Sequence, residues 1–299
     1  MQRPLVIAHR GASGYLPEHT LAAKALAAGM GADYLEQDVV ATRDGALIVF
    51  HDLTLEDTTD VRDRYPTRAR SDGHWYAIDF TLEEIRRLSA GERRQAGTTR
   101  PRFTGRYPDG AGRFGIVTLD EELAFIRGLN RSSGRAIGIY PEIKDPGWHR
   151  LQGVEIGDRL LEVLTAHGYS TAACGAYLQC FDAEELQRLR GRTDLPLIQL
   201  LDSAGGIPSA HSLRQLASYA QGIGPSLKLV LGSRLVAEAH GEGLLVHPYT
   251  ARRDDLPPGV HSFDQLLQQV LADAGSDGVF TDFPDLVVDF IRRRFPAGE

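Results

Sequence analysis

The chain has 299 residues, with 33 Lys and Arg against 40 Asp and Glu, a formal net charge of −7. Its 32 glycines and 15 prolines fall well short of the ~25–30% that marks a low-complexity chain. A chain this long buries roughly 75% of its unfolded surface without disulfide staples, which excludes disordered, collagen-like and mini-protein classes. The acidic balance argues against nucleic acid or an anionic membrane as partner, since both call for a basic face. No apolar run approaches the ~18 residues of a transmembrane helix. The short apolar run 4–8 falls below the ~7–15 residues of a signal-peptide core, so no signal peptide is expected in this chain. The two cysteines, Cys174 and Cys180, lack CxxC spacing and read as free, buried or half-buried thiols.

In chain order, the β-branched run 5–8 reads as a strand that ends in His9-Arg10-Gly11. The turn Gly11-Ala12-Ser13-Gly14 matches neither a Walker loop nor GxGxxG and reads as a tight strand-to-helix turn. Residues 20–30, rich in Ala and Leu, predict a helix stopping near Gly31. Residues 33–41 predict the next strand, Asp44-Gly45 a hairpin turn, and 47–50 a short strand running into His51. Residues 52–116 then break the rhythm: they are polar and Arg-rich, with one helical island at 81–88. A structureless loop of that length is improbable inside a compact domain, so 52–116 reads as an inserted subdomain. Its arginines, interleaved with acids, read as a solvated mixed-charge surface. Trp75, Tyr76 and Trp148 are placed either at a pocket rim or in packing.

Beyond the insert, strands are expected at 137–143, 176–180, 195–200, 244–247 and 278–281. Helices are expected at 119–128, 149–167, 182–190, 211–220, 231–240, 263–274 and 284–293. Strand and helix alternating about eight times over this length points to an α/β fold, a single TIM (β/α)8 barrel spanning 1–299.

In such a barrel, charged residues at the C-terminal ends of strands converge on one mouth. Glu36 and Asp38 stand two apart in a strand, so both project from one face, opposite Leu35, Gln37 and Val39. Two close carboxylates repel unless a cation or proton lies between them. Glu142 and Lys144 repeat the spacing at the end of 137–143. Glu36, Asp38 and Glu142 together would offer oxygen ligands, which select a hard ion such as Ca²⁺ or Mg²⁺. His9 and His51 each end a strand and are suited to proton exchange near neutral pH. Arg10 adds a planar fork that fits phosphate. The remaining histidines, His19 and His247 included, read as structural or solvated, although His247 also ends a strand.

These residues in this order resemble the glycerophosphodiester phosphodiesterase family. The carriers are AHRGASGYLPEHTLAA at the N-terminus, GADYLEQDVVATRDGALIVFHDLTL, and GIYPEIK. The segments YAIDFTLEEI, YLQCFD, VHPYT and residues 278–285 are similar to the periplasmic-type bacterial branch, so the resemblance spans nearly the whole chain. It implies a TIM barrel with an insertion, a metal held by Glu36, Asp38 and Glu142 with Ca²⁺ favoured, and His9 and His51 as general acid and base. Arg10 and Lys144 would hold the phosphate. The implied substrate is a small-molecule glycerophosphodiester such as glycerophosphocholine, cleaved to sn-glycerol 3-phosphate and an alcohol, with a cyclic phosphate as a conceivable intermediate. By resemblance the compartment is periplasmic if a signal has been removed, and otherwise cytoplasmic. Two other readings stay open: a phospholipase D or lyase acting on lysophospholipids, and a non-catalytic binding protein on the same barrel. Headgroup preference and oligomeric state lie beyond the sequence.

Overall fold

The computed structural model describes residues 3–108 and 110–296. Among the described residues nine strands form: β1 (Leu5–Ala8), β2 (Tyr34–Ala41), β3 (Leu47–Val49), β4 (Gly138–Ile143), β5 (Leu178–Cys180), β6 (Leu197–Leu201), β7 (Gly222–Pro225), β8 (Leu245–Val246) and β9 (Gly278–Thr281). Eight of them pair in parallel in the order β8-β7-β6-β5-β4-β2-β1-β9, while β3 folds back antiparallel on β2. The two ends of that row meet through Asp277 N–H to the Val246 carbonyl at 3.0 Å and Phe280 N–H to the Pro248 carbonyl at 2.9 Å. The result is a nearly closed (β/α)8 barrel.

Side-chain alternation sorts the layers. Leu35, Val39, Ile139 and Ile143 point outward into the apolar shell beneath the helices. Ile7, Tyr140, Ile198 and Phe280 fill the barrel interior. Tyr140 stacks on Tyr177 with ring centroids 5.0 Å apart, meets Phe280 edge-on, and pairs its hydroxyl with His247 Nδ1 at 2.9 Å. This plug leaves the mouth to the polar ends of the strands.

The helix Leu21–Met30 starts where Thr20 accepts from Ala23 N–H and stops at Gly31, whose φ of 98° few other residues tolerate. It buries Lys24 completely against Glu122 of the helix Leu119–Ser133, with Nζ 2.9 Å from Oε1. Gln37, on the outward face of β2, donates to the same Glu122 oxygen at 2.9 Å. The polar residue in an otherwise apolar row is thus part of a buried network.

Several expected elements differ in extent. The helix expected over 149–167 divides into Pro146–Leu151 and Ile156–Ala166, separated at Gly153, which takes a φ of 80°. The helix expected over 231–240 starts later, at Leu235, beyond Gly232. That over 263–274 begins as an α-helix and widens to a π-helix across Gln268–Asp273. Strand β7 was not expected at all, because Gly-Ile-Gly-Pro carries no alternating pattern. Packing demands its glycines: a Cβ on Gly222 would stand 2.7 Å from the Leu245 carbonyl oxygen, and one on Gly224 2.6 Å from the Leu200 side chain.

Between β3 and the helix Leu119–Ser133 the chain forms short helices, turns and isolated bridges around an apolar cluster of its own. Phe50, Leu55, Trp75, Phe80 and Leu88 belong to it, together with Val40 and Ile48 from the hairpin. Trp75 is therefore a packing residue, and Tyr76 stacks on Trp148 at 5.5 Å outside the central cavity. Most arginines of this segment are solvated as expected, but Arg93 and Arg106 are not: their side chains are only 13% and 5% exposed. Each is buried by ion pairs that only the tertiary fold assembles. Both cysteines are free. Among the described residues no helix is long and apolar enough to cross a membrane.

Candidate active site

The parallel register of β2 and β4 sets Glu36 beside Tyr140 and Asp38 beside Glu142. All three carboxylates are buried at the barrel mouth, 2%, 0% and 6% exposed, so this strand face is no solvated surface. On β1, Ala8 pairs with Leu35 and Thr281, which delivers His9 and Arg10 to the same mouth. The hairpin formed by β2 and β3 returns His51 to it. His9, Arg10, Glu36, His51, Glu142 and Lys144 all line one cavity of about 730 Å³. Asp38 lies just beneath, within 3.6 Å of Lys144 Nζ.

Backbone strain helps position this cluster. Arg10 and His19 both adopt a φ of 60°, a conformation costly to non-glycine residues. They hold one another there, with His19 N–H donating to the Arg10 carbonyl at 3.0 Å. The Arg10 amide donates to Glu36 Oε2 at 2.5 Å, and its guanidinium contacts Glu18 at 2.9 Å and Asp38 at 3.3 Å. Gly11 and Gly14 make the turn feasible: added Cβ atoms would strike the Ala23 backbone at 2.8 Å and the Phe283 ring at 2.3 Å.

Electrostatics follow from burial. Burial and the neighbouring Asp38 push the Glu36 carboxyl well above its usual range. Burial acts on Asp38 in the same direction, but Lys144, His51 and the hydrogen bond from His19 hold it well below. Glu142 is raised to about 8 by burial and Asp38, against the pull of Lys144, whose Nζ donates to Glu142 Oε1 at 2.7 Å. Crowded, desolvated carboxylates of this kind suit a hard cation. Asp38 Oδ1 moreover has no hydrogen-bond partner among the described residues.

One difference from the expected ligand set emerges. Among the described residues, the ligand atoms that come within 4.8 Å of one another belong to His19, Glu36 and Asp38. His19 was read as a structural histidine; it donates from Nε2 to Asp38 Oδ2 at 2.7 Å. Glu142 lines the cavity with its carboxylate turned to Lys144.

The two histidines are built alike. His9 Nδ1–H donates to Asp282 Oδ1 at 2.6 Å, and His51 Nδ1–H to Asp52 Oδ1 at 2.5 Å. With Nδ1 committed, Nε2 is the nitrogen left in each ring to exchange a proton. Burial, with Arg10 nearby, pushes His9 down to about 3 and His51 to about 4, so both rings are neutral near pH 7. Asp282, Asp52, Glu18, Arg93, Arg106 and Arg252 escaped the sequence reading. Two signals were available: Asp282 directly follows β9, and Asp52 adjoins His51. For the arginines no local signal exists.

A sequence profile described as the glycerophosphoryl diester phosphodiesterase family matches residues 9–286, nearly the whole chain. The chain belongs to this family. It is 38% identical to a glycerophosphodiester phosphodiesterase of Haemophilus influenzae, covering 96% of this chain and 90% of that one. A glycerophosphodiester phosphodiesterase of Treponema pallidum is 35% identical, with 96% and 91% covered. Among solved structures, a glycerophosphoryl diester phosphodiesterase of Silicibacter pomeroyi superimposes with a TM-score of 0.75 at 25% identity, covering 97% of this chain and 93% of that one. A phosphodiesterase of Oleispira antarctica, solved with the product sn-glycerol-3-phosphate, shares the fold with a TM-score of 0.70 at 24% identity over 96% of each chain. The family member described here is accordingly an enzyme, a phosphoric diester hydrolase with glycerophosphodiester phosphodiesterase activity.

Proposed function

We propose that the enzyme hydrolyses glycerophosphodiesters such as glycerophosphocholine and glycerophosphoethanolamine to sn-glycerol 3-phosphate and the free alcohol, with a divalent cation, Ca²⁺ favoured, and with His9 and His51 as the acid–base pair. The observation that carries this reading is the pair of Asp-oriented histidines lining the cavity that Glu36, Glu142, Arg10 and Lys144 also line.

A phosphodiester is a poor electrophile because its charge repels nucleophiles. Glu36, Asp38 and Glu142 would hold the cation, with His19 orienting Asp38. The bound ion would supply Lewis-acid polarisation of the phosphoryl oxygens. Arg10 and Lys144 add positive charge from the protein, where it offsets the charge that develops on the equatorial oxygens. One histidine, neutral, takes the proton of the attacking glycerol 2-hydroxyl at Nε2. The other enters the step as imidazolium, having taken up a proton with the anionic substrate, and gives its Nε2 proton to the departing alkoxide. The P–O bond to the headgroup breaks as the bond to the 2-oxygen forms, giving a cyclic phosphate. In the second step the roles reverse: water loses a proton to the imidazole that acted as acid and attacks phosphorus, while the other imidazolium returns its proton to the 2-oxygen as the ring's P–O bond breaks. The demand for a hydroxyl beside the phosphate explains a requirement for glycerol on one side.

The test uses chelator-stripped enzyme with glycerophosphocholine, following glycerol 3-phosphate release with and without added Ca²⁺ or Mg²⁺. His9→Ala and His51→Ala are measured beside the wild type, and lysophosphatidylcholine serves as a second substrate. Metal-dependent release that both substitutions abolish supports the reading. Release independent of both histidines, or cleavage of the lysolipid alone, overturns it.

A further inference from the structure

We infer that Arg93 and Arg106, both supplied by the segment between β3 and the helix Leu119–Ser133, are positioning residues that clamp the two aspartates orienting His51 and His9. This rests on the reading of those histidines as the acid–base pair.

The two arrangements mirror each other. Asp282 turns Oδ1 to His9 Nδ1, while its Oδ2 accepts from Arg106 Nη2 at 2.8 Å and Arg252 Nε at 2.7 Å. Asp52 turns Oδ1 to His51 Nδ1, while its Oδ2 lies 2.8 Å from Arg93 Nη1. In both, one carboxylate oxygen faces an imidazole and the other a guanidinium. A carboxylate free to rotate lets its imidazole swing and change tautomer. Fixing the second oxygen fixes the carboxylate plane, and with it the ring and the proton on Nδ1.

The clamps are themselves anchored. Arg93 forms a two-pronged contact with Glu18 at 3.0 and 2.7 Å, and Glu18 in turn holds Arg10. Arg106 grips Asp254 at 2.8 and 3.0 Å, donates to the Ser13 carbonyl at 3.2 Å, and packs over the Phe103 ring at 3.8 Å. Arg106 hydrogen-bonds Asp282, Asp254 and the Ser13 carbonyl, while Arg93 hydrogen-bonds both Glu18 oxygens and meets Asp52 Oδ2 as an ion pair, a use of the planar fork that a lysine ammonium cannot reproduce. The charges also keep both aspartates ionised as acceptors. Burial would raise Asp282, yet Arg252, His9 and Arg106 hold it well below the carboxylate range. Asp52 is likewise brought to about 2 against burial, by His51 and Arg93. The insert is in this way part of the acid–base apparatus and not only a cover on the barrel.

The experiment compares Arg93→Gln, Arg106→Gln, Arg93→Lys and Arg106→Lys with the wild type. It follows kcat and KM on glycerophosphocholine with Ca²⁺, the thermal midpoint, and the downfield NMR resonance of each imidazole Nδ1 proton. The glutamine variants are expected to lose kcat by about 10–100-fold, the range for partners one layer behind a site, with KM changed less than about twofold and the lysines restoring only part. Arg106→Gln should weaken the His9 proton signal alone and Arg93→Gln the His51 signal alone. Arg106→Gln in an Asp282→Asn background should cost little more than Asp282→Asn by itself, as coupled residues behave. Unchanged proton signals, or a kcat loss that only follows the fraction unfolded, overturns the inference. Should a glutamine variant not fold, its lysine counterpart carries the same readouts. If the wild type cleaves no diester with any metal, the proposed function fails, and the proton resonances still decide the clamps because they need no turnover.

Discussion

Glu122→Gln isolates the charge of one buried pair. Lys24 and Glu122 are both 0% exposed, and Glu122 Oε1 receives Lys24 Nζ at 2.9 Å and the Gln37 amide at 2.9 Å. Glutamine keeps the shape and an acceptor oxygen but leaves the ammonium buried without its counter-charge. Lys24 then retains only neutral acceptors, the introduced amide oxygen and the carbonyl of Glu36. Breaking one side of a buried pair costs about 3–5 kcal/mol. At about 2–4 °C per kcal/mol for a domain of this class, the midpoint should fall by roughly 10 °C. Replacing both partners with apolar residues, Lys24→Met with Glu122→Leu, should regain most of the loss, because no charge then remains buried. Urea unfolding with an unchanged m-value measures both. A Glu122→Gln variant within about 1 kcal/mol of wild type, or a double variant as unstable as the single, would refute the assignment of the loss to an uncompensated buried charge.

His19→Ala should weaken divalent-cation binding about 10–100-fold, since it removes the donor that orients Asp38; calorimetric titration with Ca²⁺ and with Mg²⁺ checks this, and an unchanged Kd counts against Asp38 as a ligand. His247, which burial pushes down to about 4, must stay neutral in the fold while the unfolded chain takes up a proton below about 6.5. Stability therefore falls as pH drops from about 6.5 to 4, with His247 contributing about 3 kcal/mol beside the like-signed contributions of His9 and His51; urea midpoints across that window should show a slope that His247→Gln reduces. Gly222→Ala should destabilise by about 1–3 kcal/mol, because its Cβ meets the Leu245 carbonyl oxygen at 2.7 Å, and a thermal midpoint equal to wild type would contradict the close approach of β7 and β8.

What was legible in the sequence has a common origin in periodicity. Glu36 and Asp38 two apart, Glu142 and Lys144 two apart, and His9 and His51 at strand ends are all placed by local geometry. A period of two sends alternate residues to one face whatever the rest of the chain does. The same rule, applied to β9, would have picked out Asp282. Strand β7 eluded it because Gly222 and Gly224 answer to the close approach of neighbouring strands, a constraint invisible in their own segment. Gln37 looked like a polar interruption of an apolar face until Glu122, far along the chain, supplied its partner.

The sequence by itself therefore determined the alternating order of strands and helices, the barrel this order closes into, and the charged groups that its strand ends bring to one mouth. Only the tertiary structure decided which charges neutralise one another there. Arg93 and Arg106 read as solvated arginines in a polar stretch, yet they are buried beside Asp52 and Asp282, the latter 176 residues from Arg106. His19, with nothing local to distinguish it, became the donor to Asp38. The physical reason is that alternation is a property of neighbouring backbone dihedrals, whereas an ion pair between distant residues exists only once the chain between them has folded and excluded water from both.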